Sequence, residues 1–98
     1  MTCFIYAIGS ESGPIKVGIS ADPYVRLLRL QASCPHNIHL LDVRRFRHRA
    51  EAFKIEKHTH FFLSDQHLHH EWFDVNLDDC MHAIDLMTYG WPLPEEKR

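Results

Sequence analysis

The feature that most constrains this chain is the spacing of its first two apolar runs. Residues 3–8 (CFIYAI) and 15–19 (IKVGI) are rich in β-branched and aromatic side chains, as strands are. Only GSESGP, a cluster of turn residues, separates them. A connection this short joins antiparallel strands, because a parallel crossover needs about a dozen residues or more. The chain therefore opens with an antiparallel hairpin. Alternation puts Lys16 on the opposite face to Ile15 and Val17. Gly18 removes a side chain from the second strand, which marks a bulge or a close approach by another group.

A helix start follows. Asp22 suits the N-cap and Pro23 the first helical position. The helix shows Val25 and Leu28 and, one face on, Leu27 and Leu30, with Arg26 and Arg29 between them. It ends near Ser33, before the Cys34-Pro35 break. Residues 38–46 form a third strand ending in arginines. Residues 49–63 have helical spacing, with Ala52, Ile55, Thr59 and Phe62 on one face. Glu56 and His60, four apart, stack on a neighbouring face.

Residues 64–70 read as a polar, histidine-rich loop, after which Glu71-Trp72-Phe73 returns to apolar. A last amphipathic helix spans residues 76–89. Its core side is either Leu77, Met81, Ile84 and Met87 or Met81, Ile84 and Leu86, and Gly90 stops it. The order strand, strand, helix, strand, helix, helix predicts an α+β fold: a small three-stranded antiparallel sheet with flanking helices.

A length of 98 residues suits one domain, expected over residues 1–93 with a short tail at 94–98. No apolar run approaches the ~20 residues that span a bilayer. The N-terminus lacks the layout of a signal peptide, so an intracellular, cytoplasmic protein is expected. Cys3, Cys34 and Cys80 fit neither a zinc pair nor a disulfide framework. The net charge of −2 counts against nucleic-acid binding through bulk charge alone. The basic residues are uneven, however. Arg26, Arg29, Arg44, Arg45, Arg47 and Arg49 lie in the first half, and the segment after Asp65 is acidic, so one face could be basic.

Several polar residues stand where a small core does not need them. Glu56 is either a solvated helix charge or a ligand for a hard metal, which proteins often hold with one carboxylate plus waters and phosphate. His60 is either a surface histidine or a proton-transfer or phosphate partner. Arg26 is either exposed or a phosphate clamp. Tyr6 is either core or, with its pKa lowered by a metal or cation, a proton acceptor for an attacking water. Lys16 is either the solvent face of the hairpin or a phosphate-facing charge. Together they have the chemistry of phosphodiester cleavage. His58, His60, His67, His69 and His70 have no cysteine at ligand spacing, and a solvated histidine loop is the reading preferred over a structural zinc site.

The order Phe4-Ile5-Tyr6, Lys16-Val17-Gly18 and then Arg26 on the next helix resembles the GIY-YIG endonuclease superfamily. Glu56 with His60, followed by Glu71-Trp72-Phe73, resembles its small phage and bacterial branch, also seen in meiotically up-regulated nuclease-like proteins. The likeness runs from about Cys3 to Phe73. It implies metal-dependent hydrolysis of DNA with magnesium or manganese. On that likeness Tyr6 acts as general base or orients the water, and Gly18 lets the backbone pass close to the site. Arg26 contacts the scissile phosphate, Glu56 binds the metal, and His60 moves a proton or contacts phosphate. Lys16 joins the catalytic set, and Gly18, Arg29 and Glu71 are the candidate substrate contacts. Two positions depart from the superfamily's pattern: Phe4 stands where the first motif has glycine, and Lys16 where the second has tyrosine.

The expected function is thus a metal-dependent DNA endonuclease. The alternative is a catalytically weak or inactive module of the same fold that binds nucleic acid or protein. DNA is the expected partner, no membrane is involved, and a partner protein or a second copy of the chain could supply specificity.

Overall fold

A computed structural model describes residues 2–90. The expected domain end at 93 and the tail at 94–98 lie outside the described residues.

The opening hairpin forms as the spacing requires. Strand β1 (Cys3–Gly9) and strand β2 (Ile15–Ser20) run antiparallel, with Tyr6 opposite Gly18 and Ile8 opposite Lys16. The Asp22 carboxylate accepts from the Val25 amide at 3.1 Å and starts helix α1 (Pro23–Ala32). Strand β3 (His39–Phe46) pairs antiparallel with β1 on its other side. Helix α2 (Arg49–Phe62) follows. A short 3-10 turn (Ser64–Gln66) then leads into strand β4 (His67–His69) and strand β5 (Trp72–Phe73). Helix α3 (Leu77–Tyr89) is capped by Asn76, whose side-chain oxygen accepts from the Asp79 amide at 2.8 Å. It ends at Gly90, whose φ of 87° is a left-handed value that glycine adopts readily.

The sheet has five strands in the order β3-β1-β2-β5-β4. The expected three-stranded sheet is therefore corrected to five, and the expected histidine loop contains β4. β5 docks on the free edge of β2 and carries β4 outside it. Pairing satisfies backbone groups that an open edge would leave to solvent.

The two sheet faces differ. Ile5, Ala7, Ile15, Val17 and Phe46 point to one face, where Ala52 and Ile55 of α2 and Cys80, Ala83 and Ile84 of α3 close over them. Small residues at Ala7, Ala52 and Ala83 let the layers approach, and fully burying each larger side chain contributes roughly 1.5–3 kcal/mol. Tyr6, Ile8 and Ile38 form a smaller cluster on the opposite face, covered in part by Leu27 and Leu30 of α1.

Packing decides between the faces that the sequence left open on α1 and α3 and corrects one position on α2. On α1 the Leu27 and Leu30 side packs inward, while Val25 and Leu28 are exposed; Pro23, buried in the first turn, helps set that rotation. On α2 the buried stripe runs through Ala52, Ile55, Glu56 and Thr59 to Leu63, four residues on from Thr59. Phe62, three residues on, is left 49% exposed. On α3 the buried set is Cys80, Met81, Ala83, Ile84 and Leu86, with Leu77 and Met87 half-buried. No helix among the described residues is long and apolar enough to cross a membrane.

Candidate functional site

β5 is two residues long, so β2 outruns it. Their pairing covers Ile15 with Phe73 and Lys16 with Trp72. At Val17 the edge passes to other partners: the Val17 amide donates to the Glu71 carbonyl at 3.0 Å. The Val17 carbonyl lies 2.8 Å from His60 Nε2. A carbonyl can only accept, so this contact requires the proton on Nε2. A helix side chain here caps a sheet edge that no strand reaches. The same link brings α2, and with it Glu56 one turn earlier, against the sheet beside Gly18.

Tyr6 arrives from the opposite side. It lies across the hairpin from Gly18, and its hydroxyl occupies the space a Gly18 side chain would take. A Cβ at Gly18 would overlap that hydroxyl, sit 2.6 Å from Tyr6 Cζ and lie 3.1 Å from Glu71 Oε1. The glycine is needed for space, since its own backbone lies outside the left-handed region. Around one bare backbone position the fold thus gathers a phenol, the Glu71 carboxylate and, across the edge, Glu56 with His60.

Lys16 shares this face. Its ammonium is 3.1 Å from Glu71 Oε1 and 5.9 Å from the centre of the Trp72 ring, and its side chain is only 12% exposed. Its charge is therefore already partnered, which tempers the expectation of a free phosphate-facing lysine. Arg26 is exposed on α1, and its charge is felt at Tyr6. Arg29 is exposed too and makes no ion pair with a described residue, so it is not brought into the cluster.

The electrostatics sort the roles. Burial pushes the Tyr6 hydroxyl up to about 12; Arg26 opposes the shift, and Glu71 and Glu56 add to it. Tyr6 is thus a neutral hydrogen-bond donor at pH 7, and serving as a base would require an added cation. Glu56, 3% exposed, is raised above the usual carboxylate range by burial first, with the His60 ring opposing and Glu71 reinforcing. Its one ion-pair contact among the described residues is the His60 ring at 4.0 Å.

A cation would relieve the burial of Glu56 and the nearness of Glu71 together. No three His, Cys, Asp or Glu side chains among the described residues are grouped to hold a metal by themselves. The donor set matches a hard divalent ion held by one or two carboxylates, with waters and substrate phosphate completing its shell. Glu56 is the side chain that would hold it.

Two features of the cluster had no signal in the residue pattern. The Val17 carbonyl is backbone and has no residue signature. The Lys16–Glu71 pair joins β2 to the turn before β5, whose pairing is too short to leave a period-2 pattern.

A family model, the T5orf172 domain, matches residues 3–88. That match corrects the resemblance to the GIY-YIG superfamily, whose two defining positions are filled here by Phe4 and Lys16 instead of glycine and tyrosine. No curated protein and no solved structure matches the chain. The chain therefore belongs to the T5orf172 domain family, and that membership points at a coarse level to a nuclease-like or DNA-binding function.

Proposed function

We propose that the chain is a DNA endonuclease that hydrolyses phosphodiester bonds by attack of water, with magnesium or manganese held at Glu56. The observation that carries this reading is the gathering of Tyr6, Glu71, Glu56 and His60 around the bare backbone of Gly18. The missing side chain there lets the Tyr6 hydroxyl lie against the sheet backbone beside the Glu71 carboxylate.

The bound metal ion would supply positive charge to polarise the phosphate. Arg26, on the exposed side, grips the phosphate through paired N–H donors and stabilises the charge that develops as water adds. The neutral Tyr6 hydroxyl orients the attacking water. The Glu71 carboxylate beside it takes the proton, and Lys16, 3.1 Å from that carboxylate, holds it in position. His60 fixes α2, and so Glu56, against β2 through the Val17 carbonyl.

The test is cleavage of single- and double-stranded DNA by purified protein with magnesium, with manganese and with EDTA, comparing wild type with Glu56→Gln. Metal-dependent cleavage lost in the variant supports the reading. Equal cleavage by wild type and variant refutes it.

One set of observations favours a second reading, a module that binds nucleic acid without cutting it. The Lys16 charge is already partnered and Tyr6 resists ionisation. This reading expects DNA binding that is indifferent to EDTA, with no loss of substrate under any metal.

A further inference from the structure

β3 carries two consecutive arginines with opposite fates. Arg44 turns toward the face covered by α3. Its Nε donates to Asp85 Oδ1 at 2.9 Å and its Nη2 to Asp85 Oδ2 at 3.2 Å, a two-pronged pair, with Asp42 3.4 Å from Nη1. That guanidinium is occupied. Arg45, one residue on, turns to the other face and is exposed. Arg47, two further, is also exposed. Neither makes an ion pair with a described residue.

The register fixes where this second face leads. Val43 lies across from Tyr6, and Arg45 across from Phe4. Arg45 is therefore the diagonal neighbour of Tyr6 on one sheet face, about 7–8 Å along. Arg45 and Arg47 line a single surface hollow of about 260 Å³ together with Thr2. So the face that holds Tyr6 and Gly18 continues into a polar hollow with two arginines that make no ion pair with a described residue. The chain as a whole is net acidic, at −2, so the placement is not a by-product of bulk charge.

We infer that the Thr2, Arg45 and Arg47 hollow is a binding subsite for the DNA backbone, holding phosphates of the strand that runs away from the cleaved bond. The inference rests on the DNA-directed reading of the Gly18 site. Arginine suits this role because its planar fork of donors matches a phosphate's oxygens, and it stays charged at any working pH. The Thr2 hydroxyl adds a donor of the kind that commonly contacts phosphate. Such contacts set the position of a strand without reading its sequence.

The test is the binding of a labelled DNA oligonucleotide to the full chain in EDTA over a series of salt concentrations. Each phosphate contact removed should lower the steepness of log affinity against log salt by roughly 0.7–0.9. Arg45→Ala and Arg47→Ala should each weaken binding and flatten that slope, and the double variant should flatten it by about twice as much. Arg44→Ala should lower thermal stability and leave the slope unchanged. Thermal melts of all variants show whether each is folded, and Arg45→Gln and Arg47→Gln, which keep length and polarity, stand in for any alanine variant that is not.

Variants that keep the wild-type slope overturn the subsite, and if wild type still cuts DNA the nuclease reading survives. A flattened slope in a protein that no metal activates upholds the subsite and overturns the nuclease reading. Wild-type protein that binds no DNA overturns both.

Discussion

The two faces of the sheet are built to different rules. The face under α2 and α3 is closed: Ile5, Ala7, Val17, Ala52, Ala83 and Ile84 are fully buried and apolar. The face toward α1 is covered in part, and it holds a phenol, a glycine, a lysine and a carboxylate within one patch. The first face is where packing fixes the fold. The second, with the open edge at Val17, has a smaller buried cluster around Tyr6 and holds polar groups in contact beside it. Uneven coverage of a small sheet thus leaves polar groups gathered on one side, and His60 meets the Val17 carbonyl where β5 stops short.

The largest effect that sharpens this contrast is expected at Gly18. In Gly18→Ala the new methyl collides with the Tyr6 ring, which is itself buried and cannot swing clear. Overpacking of this kind costs about 1–3 kcal/mol. Displacing catalytic groups by about 1 Å can cost ~10²-fold in rate. Thermal melts and cleavage rates measured together should therefore show activity falling far more than the folded fraction does. A fall in parallel with the folded fraction would mean that this face, like the other, is only packing.

A smaller effect is expected at His60, and it separates positioning from proton transfer. His60→Ala leaves the Val17 carbonyl without its partner, at a cost of about 1–3 kcal/mol, and loosens Glu56. His60→Gln places an amide N–H near the old Nε2 and should restore stability and most of the activity. Loss of ~10²-fold or more in the folded glutamine variant would instead mark His60 as an acid or base.

The smallest effect concerns stability against pH. Burial raises the folded-state pKa of Glu56 above its ordinary 4.5. A group raised on folding stabilises the protein fully below its unfolded pKa, and that stabilisation is lost as pH rises through the folded value. In EDTA, at pH above the folded value, the ionised carboxylate therefore carries a cost that Glu56→Gln removes. The variant should melt a few °C higher, where ~1 kcal/mol corresponds to roughly 4–8 °C for a domain of this size. The gap should close as pH falls toward the carboxylate range. A variant that melts lower above the folded value would contradict the account of a strained, desolvated charge.

Local signals account for what the sequence revealed. Asp22-Pro23 starts α1 and Asn76 starts α3 because both are caps whose chemistry is complete within four residues. The hairpin was equally plain, since a short turn leaves one topology. β4 and β5 were hidden because HLH and WF are too short for alternation to emerge, and their pairing depends on an edge far away in the chain. Phe62 was misplaced because both three and four residues from Thr59 fit a helical stripe, and only packing selects Leu63. Within the site, Tyr6, Lys16, Glu56 and His60 stand out as polar and out of place and Glu71 does not, and their convergence on Gly18 through the Val17 carbonyl belongs to the fold alone. The family likeness went astray on two positions, Phe4 and Lys16, where this chain departs from the motif it otherwise resembles.

The measurement that tests the central claim most directly is DNA cleavage by wild type and Glu56→Gln, each shown to be folded, with magnesium or manganese and with EDTA. The account predicts cleavage by wild type that requires the metal, and a loss of about 10²–10³-fold or more in a variant that is fully folded. Cleavage undiminished in Glu56→Gln, or a wild type that cuts equally well in EDTA, would contradict it.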